Sequence, residues 1–334
     1  MSEKKIKDSD YLYLSAVIRA REPKLLSREK TERMLDSGSF EEAARVLSEC
    51  GYSEIRERSA AAVDRVLCEK RDDTFRELER SAPKKALLDI FRLKYDYHNV
   101  KVMIKAQGAN LDGGYLLSDC GRVKVSVLTD SFNDDDYRFV PKPMGEAIAE
   151  AKSAFARSRN PQSSDIILDK AYFAELLVLA ETAGDRFLQD YVRLQIDSAN
   201  LRTAVRVSRI GRDSAFLKNS MIPGGTVDTG RIISAFEARE GIAILFSSTP
   251  LAAAAVIGEE RMSGGSLTEF ERRCDNAVTE YLKSAKMVSF GAAPVAAYLA
   301  ALESEIGTAR MVLTGLLAGI APDTIRERLR ESYV

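Results

Sequence analysis

Residues 96–106 read DYHNVKVMIKA, residues 197–207 read DSANLRTAVRV, and residues 305–315 read EIGTARMVLTG. Each stretch opens on an acid and carries Asn or Thr three residues on. An apolar residue and then Lys or Arg follow. The starts lie about a hundred residues apart. A fainter copy, DYLYLSAVIRA, stands at 10–20. The apolar positions also agree. Tyr11, Leu14 and Ile18 align with Tyr97, Val100 and Ile104, with Ser198, Leu201 and Val205, and with Ile306, Ala309 and Leu313. Spacing of i, i+3, i+7 puts these residues on one stripe of an α-helix. One helix therefore recurs, at a period longer than that of the short solenoid repeats. The fold expected is all-α, with three similar helical modules and a closing helix. The modules are drawn at 1–95, 96–196 and 197–334, with long helices shared across the boundaries.

The rest of the chain agrees with helix. Ala, Leu, Arg and Glu are abundant, and all are good helix formers. Ser39 with Glu42 reads as a capping box before the apolar face of Ala43, Val46 and Leu47. Residues 54–80 read as an exposed amphipathic helix. A long helix is expected from Pro83 through Ala106, broken by Gly108, Gly113 and Gly114. VKVSVL at 123–128 alternates weakly like a strand. Its neighbour SVLTDSF parallels RMLDSGSF in the first module, which favours helix. The glycine pair in LDGGYLLSDCG (111–121) pairs with the one in IPGGTVDTG (222–230). Leu302, Ile306, Ala309, Leu313, Leu316, Leu317 and Ile320 form a stripe along the last long helix.

Composition excludes several classes of function. Among 334 residues, 49 Lys and Arg face 50 Asp and Glu, so nothing in the overall charge calls for nucleic acid. Four scattered cysteines form no CxxC pair and read as reduced thiols. The opening MSEKKIKDSDYL lacks the apolar run of a signal peptide. The most apolar stretch, 242–257, is interrupted at Ser247–Pro250 and is too short to span a bilayer. There is no P-loop, GxSxG, HExxH or Rossmann glycine fingerprint. The single histidine, His98, falls where the other copies have Ala199 and Gly307, and reads as an ordinary helix residue. Asp134, Asp135 and Asp136 lack the glycine and distal Glu of a calcium loop and read as a loop or a helix start. No cofactor, metal or small-molecule substrate is expected.

The basic residues of the repeats are the candidate contacts. Lys101 and Lys105 are spaced i, i+4. Arg202, Arg206 and Arg209 follow i, i+4, i+7. Lys101, Arg202 and Arg310 occupy one repeat position. Such cations can receive an acidic partner helix. They can equally form a solvated or locally paired helix face, with Asp96, Asp197 and Glu305 neutralising their neighbours.

KYDYHNVKVMIKA at 94–106, RLQIDSANLRTAVR at 193–206, the run at 295–315 and the terminal IRERLRESYV resemble the central-stalk protein C of archaeal and bacterial A/V-type rotary ATPases, the family that includes the eukaryotic d protein. The resemblance covers nearly the whole chain. It implies a funnel of three helical modules in pseudo-threefold arrangement. It also implies a non-catalytic rotor adaptor, present as a single copy at the cytoplasmic face of the membrane. There it would join the central axle, made of the D and F proteins, to the membrane proteolipid ring. The six cations above are then candidate axle contacts. A different class of function stays open at this point: an independent all-helical scaffold that binds a soluble partner. An enzyme working through carboxylates in a helical bundle is a third.

Overall fold

The computed structural model describes residues 6–334, so the reading of the extreme N-terminus falls partly outside the described residues. These residues form sixteen α-helices and no strand. In chain order they are α1 (Leu12–Arg21), α2 (Arg28–Asp36), α3 (Phe40–Glu49), α4 (Ala60–Glu79), α5 (Lys85–Ala109), α6 (Val125–Asp134), α7 (Lys142–Ser158) and α8 (Pro161–Ala183). Then follow α9 (Arg186–Arg209), α10 (Ser214–Ser220), α11 (Thr229–Ala238), α12 (Ile242–Leu245), α13 (Ala252–Met262), α14 (Thr268–Lys283), α15 (Ala292–Leu317) and α16 (Pro322–Arg326). The ambiguous segment at 123–128 opens a helix, α6.

Local chemistry sets the helix starts. The hydroxyls of Ser27, Ser39 and Ser59 accept the N–H groups of Lys30, Glu42 and Ala62, and the Asp185 carboxylate accepts that of Leu188. Each satisfies one of the N–H groups left without a partner at a helix start. The ends repeat as well. Asn110, Gly211 and Gly319 all adopt positive φ, and each stands fourteen residues beyond its repeat acid. The next residue donates its N–H back into the helix: Leu111 to Ala106, Arg212 to Val207, Ile320 to Gly315. These are three Schellman ends in one register.

All twelve stripe positions of the four copies are buried. Two expectations need correction. α5 runs through Gly108 to Ala109, because Gly108 lies against the Phe155 ring and the turn waits until Asn110. α4 is more than a surface helix, since Val63, Leu67, Phe75 and Leu78 are buried, and Arg71 and Thr74 with them. On α15, Leu302 to Leu313 carry the buried stripe, Leu316 and Leu317 are half-buried, and Ile320 lies exposed past the end.

The chain divides into two compact units. One comprises the residues up to Lys85 together with Ile242–Val334. In it, α15 packs on α2, α3 and α4. Leu302, Ile306, Ala309 and Leu313 join Met34, Leu35, Phe40, Leu47, Val63 and Leu67 in one core. The other unit, Ala86–Gly241, is built on the α7–α8 and α8–α9 packings. In it the Phe91 ring stacks on Tyr191, with centroids 6.0 Å apart.

Candidate functional site

The acids that open the three strong repeats are almost wholly removed from water. Asp96 is 0 %, Asp197 1 % and Glu305 6 % exposed. A buried carboxylate is costly unless its oxygens are bonded, and here each grips a loop far away in sequence. Asp96 Oδ1 accepts the N–H of Val123 at 3.1 Å, and its Oδ2 accepts Arg122 Nε at 2.9 Å. Asp197 Oδ1 accepts the N–H of Val227 at 3.1 Å. Its Oδ2 accepts the N–H of Thr226, also at 3.1 Å, and the Thr226 hydroxyl. Glu305 Oε2 accepts the N–H of Leu26, and its Oε1 the Tyr52 hydroxyl, both at 2.5 Å.

Val123, Val227 and Leu26 occupy one structural position, two residues ahead of α6, α11 and α2 respectively. Each repeat acid therefore latches the loop that leads into a short helix, α6, α11 or α2. Asp96 and Asp197 hold the helix start that follows them in the chain. Glu305, near the C-terminus, holds the one near the N-terminus. In order of the repeats the relation is cyclic.

The residue three positions after the acid reinforces two of the latches. Asn99 Nδ2 donates to the Ser118 carbonyl at 2.8 Å, and its Oδ1 accepts the Ser118 N–H at 2.9 Å. Asn200 does the same with Ile222, at 2.7 and 2.9 Å. Ser118 and Ile222 both stand five residues before the latched valine. Two glycines let the loop come close. A Cβ on Gly121 would overlap Oδ1 of Asp96, and one on Gly225 would overlap Oδ1 of Asp197. The structural counterpart of Gly225 is thus Gly121. The pairing of 113–114 with 224–225 read from sequence fails, because the first glycine pair stands well ahead of the latched loop. At the corresponding place before Leu26 stands Lys24. The third acid is Glu, and its extra methylene spans the gap that glycine closes in the other two. The fourth copy shares the stripe but not the latch: the Asp10 carboxylate accepts the N–H of its local neighbour Lys7, at 2.9 Å.

Arg122 extends the first latch into a buried network. Its Nη2 lies 2.7 Å from Glu175 Oε2, and the Tyr97 hydroxyl donates to Glu175 Oε1 at 3.3 Å. Burial pulls the guanidinium down, but the carboxylates of Asp96 and Glu175 outweigh it and hold Arg122 above its ordinary value. Burial pushes Asp96 up, and Arg122 pulls back only part of the way. Burial also raises Asp197 and Glu305, against the bonds they accept.

Asp197 yields a pH prediction. Its folded pKa lies above the unfolded value of about 3.9, so folding takes up a proton in that range. The stability it contributes is full below the unfolded value and is lost as pH rises through the raised folded value. The stability of the natural chain relative to Asp197→Asn should therefore fall as pH rises from acid to neutral. Urea denaturation at a series of pH values measures this, and a difference that grows with pH would contradict it.

The six candidate cations sort by surroundings. Lys101 Nζ is 2.5 Å from Asp169, and Lys105 Nζ is 2.8 Å from Asp165, so α5 is tied to α8. Arg310 Nε is 2.6 Å from Asp64, which ties α15 to α4 in the same way. These three have the locally paired face that the sequence left as an alternative. On α9, Arg202 is half-buried, and Arg206 and Arg209 are exposed. His98 is exposed, with Nε2 3.1 Å from the Leu116 carbonyl. Asp135 pairs with Lys152 and Asp136 with Arg138 where α6 ends, so the acidic cluster is a helix end and a turn.

The repeated polar residues hold loops and helices together. This defines an all-helical, internally repeated fold. The chain belongs to the ATP synthase (C/AC39) subunit family, which it matches over residues 14–328. It is 26 % identical over 330 residues to the C-type subunit of the V-type sodium ATPase of Enterococcus hirae, covering 97 % of this chain and 99 % of that one. It is 24 % identical over 344 residues to the C-type subunit of the A-type ATP synthase of Methanocaldococcus jannaschii, covering 96 % and 86 %. It is 26 % identical over 250 residues to the C-type subunit of the V-type ATP synthase of Thermus thermophilus, covering 72 % and 76 %. The chain is a non-catalytic component of a V/A-type rotary ATPase. No described helix is long and apolar enough to cross a membrane.

The latch partners were not found from sequence. The signal was present, however, as an acid followed by Asn at the third position, twice, each with a glycine ahead of a valine downstream.

Proposed function

We propose that the chain is the rotor adaptor of its ATPase, joining the central axle, made of the D and F proteins, to the membrane proteolipid ring at the cytoplasmic face. One copy serves each complex. The three modules 1–95, 96–196 and 197–334 are arranged pseudo-threefold as a funnel, their boundaries marking the repeat register inside α5 and α9. The observation that carries this reading is the cyclic order of the latches. An adaptor under torque has to resist unwinding. Tying the last repeat helix to the first helix pair, as Glu305 does with Leu26, leaves no loose end in that order. Family membership supports the same reading.

The test is recovery of the tagged chain from detergent-solubilised membranes, followed by mass spectrometry. Axle and proteolipid proteins should come with it. Recovery of soluble, unrelated proteins alone would mean a scaffold put to another use.

The candidate axle contacts are Lys101, Lys105, Arg202, Arg206, Arg209 and Arg310, of which Arg206 and Arg209 on α9 are exposed. Reversing Arg206 and Arg209 to Glu should weaken axle binding about tenfold or more at low salt and less at high salt. Unchanged axle affinity at low salt would remove these residues from the interface.

A further inference from the structure

A cavity of about 730 Å³ opens in the unit that joins the N-terminal helices to Ile242–Val334. Its walls come from the start of α2, from α14, from the middle of α15 and from the segment after α16. Seven of the lining side chains are cationic and three are carboxylic.

The carboxylates are all engaged. Glu32 holds Arg326 at 2.8 Å, Glu331 faces Lys283 at 3.5 Å, and Glu305 is bound to Leu26 and Tyr52. Two further cations turn to acids outside the lining: Arg330 to Asp275 at 2.6 Å and Arg273 to Glu269 at 3.6 Å. Among the described residues, Arg28, Arg272 and Lys286 have no carboxylate within ion-pair distance. They reach the cavity from α2, from α14 and from the turn that directly follows α14, where Lys286 Nζ lies 4.7 Å from the centre of the Tyr333 ring.

The third repeat departs from the other two at the cavity wall. Thr308 holds the position of Asn99 and Asn200. Those asparagines are filled by the backbone of a returning loop. Thr308 has no such loop bonded to it among the described residues, and it lines the cavity instead. Asn99 and Asn200 are wholly buried, whereas Thr308 is half-buried on a cavity wall rich in cations.

We propose that this cavity binds a small polyphosphate, either the phosphate chain of a nucleotide or an inorganic oligophosphate. Planar guanidinium groups match phosphate oxygens in a bidentate fork, and Lys286 adds a point charge. Its volume lies within the range of about 300–1,000 Å³ usual for small-molecule sites. Cations converging from α2 and from the end of α14 on one concavity suit a compact polyanion better than an extended acidic peptide, which needs a groove that runs on past it. The proposal concerns the isolated chain and does not depend on the rotor reading.

The experiment is isothermal titration calorimetry of the purified full-length chain with inorganic tripolyphosphate and, separately, with ATP. Binding should saturate at one site and weaken as salt is raised. The double variant Arg28→Ala/Arg272→Ala should lose at least tenfold in affinity while keeping its melting temperature. Arg186→Ala, on the other unit, should bind as the natural chain does. Equal affinity for the two probes identifies the phosphate chain as the whole ligand; tighter binding of ATP identifies a nucleotide. Absence of binding to both probes at millimolar concentration would overturn the proposal. So would unaltered affinity in the double variant, or binding of a polyglutamate peptide where tripolyphosphate fails.

Discussion

Replacing Arg122 by alanine is expected to cost the fold about 3–5 kcal/mol, the range for removing one partner of a buried ion pair. Arg122 stands between two carboxylates, 2.9 Å from Asp96 and 2.7 Å from Glu175. Their side chains are 0 % and 9 % exposed. Without the guanidinium, two like charges remain in a site with little water. The cost arises from those orphaned charges more than from the lost attraction. The triple variant Arg122→Met, Asp96→Asn, Glu175→Gln removes all three charges together and should recover much of the loss. Urea denaturation of the purified chain distinguishes these cases. A loss below about 1 kcal/mol for Arg122→Ala, the scale of an exposed pair, would show that water reaches the network.

Gly225→Ala should destabilise the chain by roughly 2–5 kcal/mol, combining the cost of overpacking with that of broken buried hydrogen bonds. The new methyl group would meet Asp197 Oδ1, and the loop has to withdraw. Withdrawal breaks the bonds from Thr226 and Val227 and leaves the carboxylate buried without donors. A double-mutant cycle isolates the cause. In the background of Asp197→Ala the clash is gone, so Gly225→Ala should cost less by about 1–3 kcal/mol. Strict additivity would mean that the glycine serves some purpose other than the latch. The same substitution at Gly121, against Asp96, should behave alike. Lys24 already carries a side chain at the third site and needs no such test.

The stripe of the repeat was legible in sequence because it is local. Tyr97, Val100 and Ile104 lie within two turns of one helix, and burial on one face repeats with the helix period. The helix start at Ser39 was legible for the same reason, since a cap acts within three residues. The latches were not. Asp96 meets Val123 across a loop of irregular length, and Glu305 meets Leu26 across nearly the whole chain. No period marks such a partner. The alternative that Asp96, Asp197 and Glu305 neutralise neighbouring cations did not point to these partners, because their oxygens face inward to loop donors. The cations Lys101 and Arg310 find acids on a different helix. The glycine pairs misled for a related reason: glycine marks a turn in sequence, but which glycine must lack a side chain depends on what approaches it. Gly121 is the one against a carboxylate, while Gly113 lies against Ala106 and Val102.

Reconstitution tests the central claim most directly. A purified proteolipid ring in nanodiscs is mixed with the D–F axle, with and without this chain, and the axle retained on the discs is counted. The adaptor reading predicts retention only when the chain is present, at one copy of chain and axle per ring. Equal retention of the axle without the chain, or a chain that binds neither component, would contradict it.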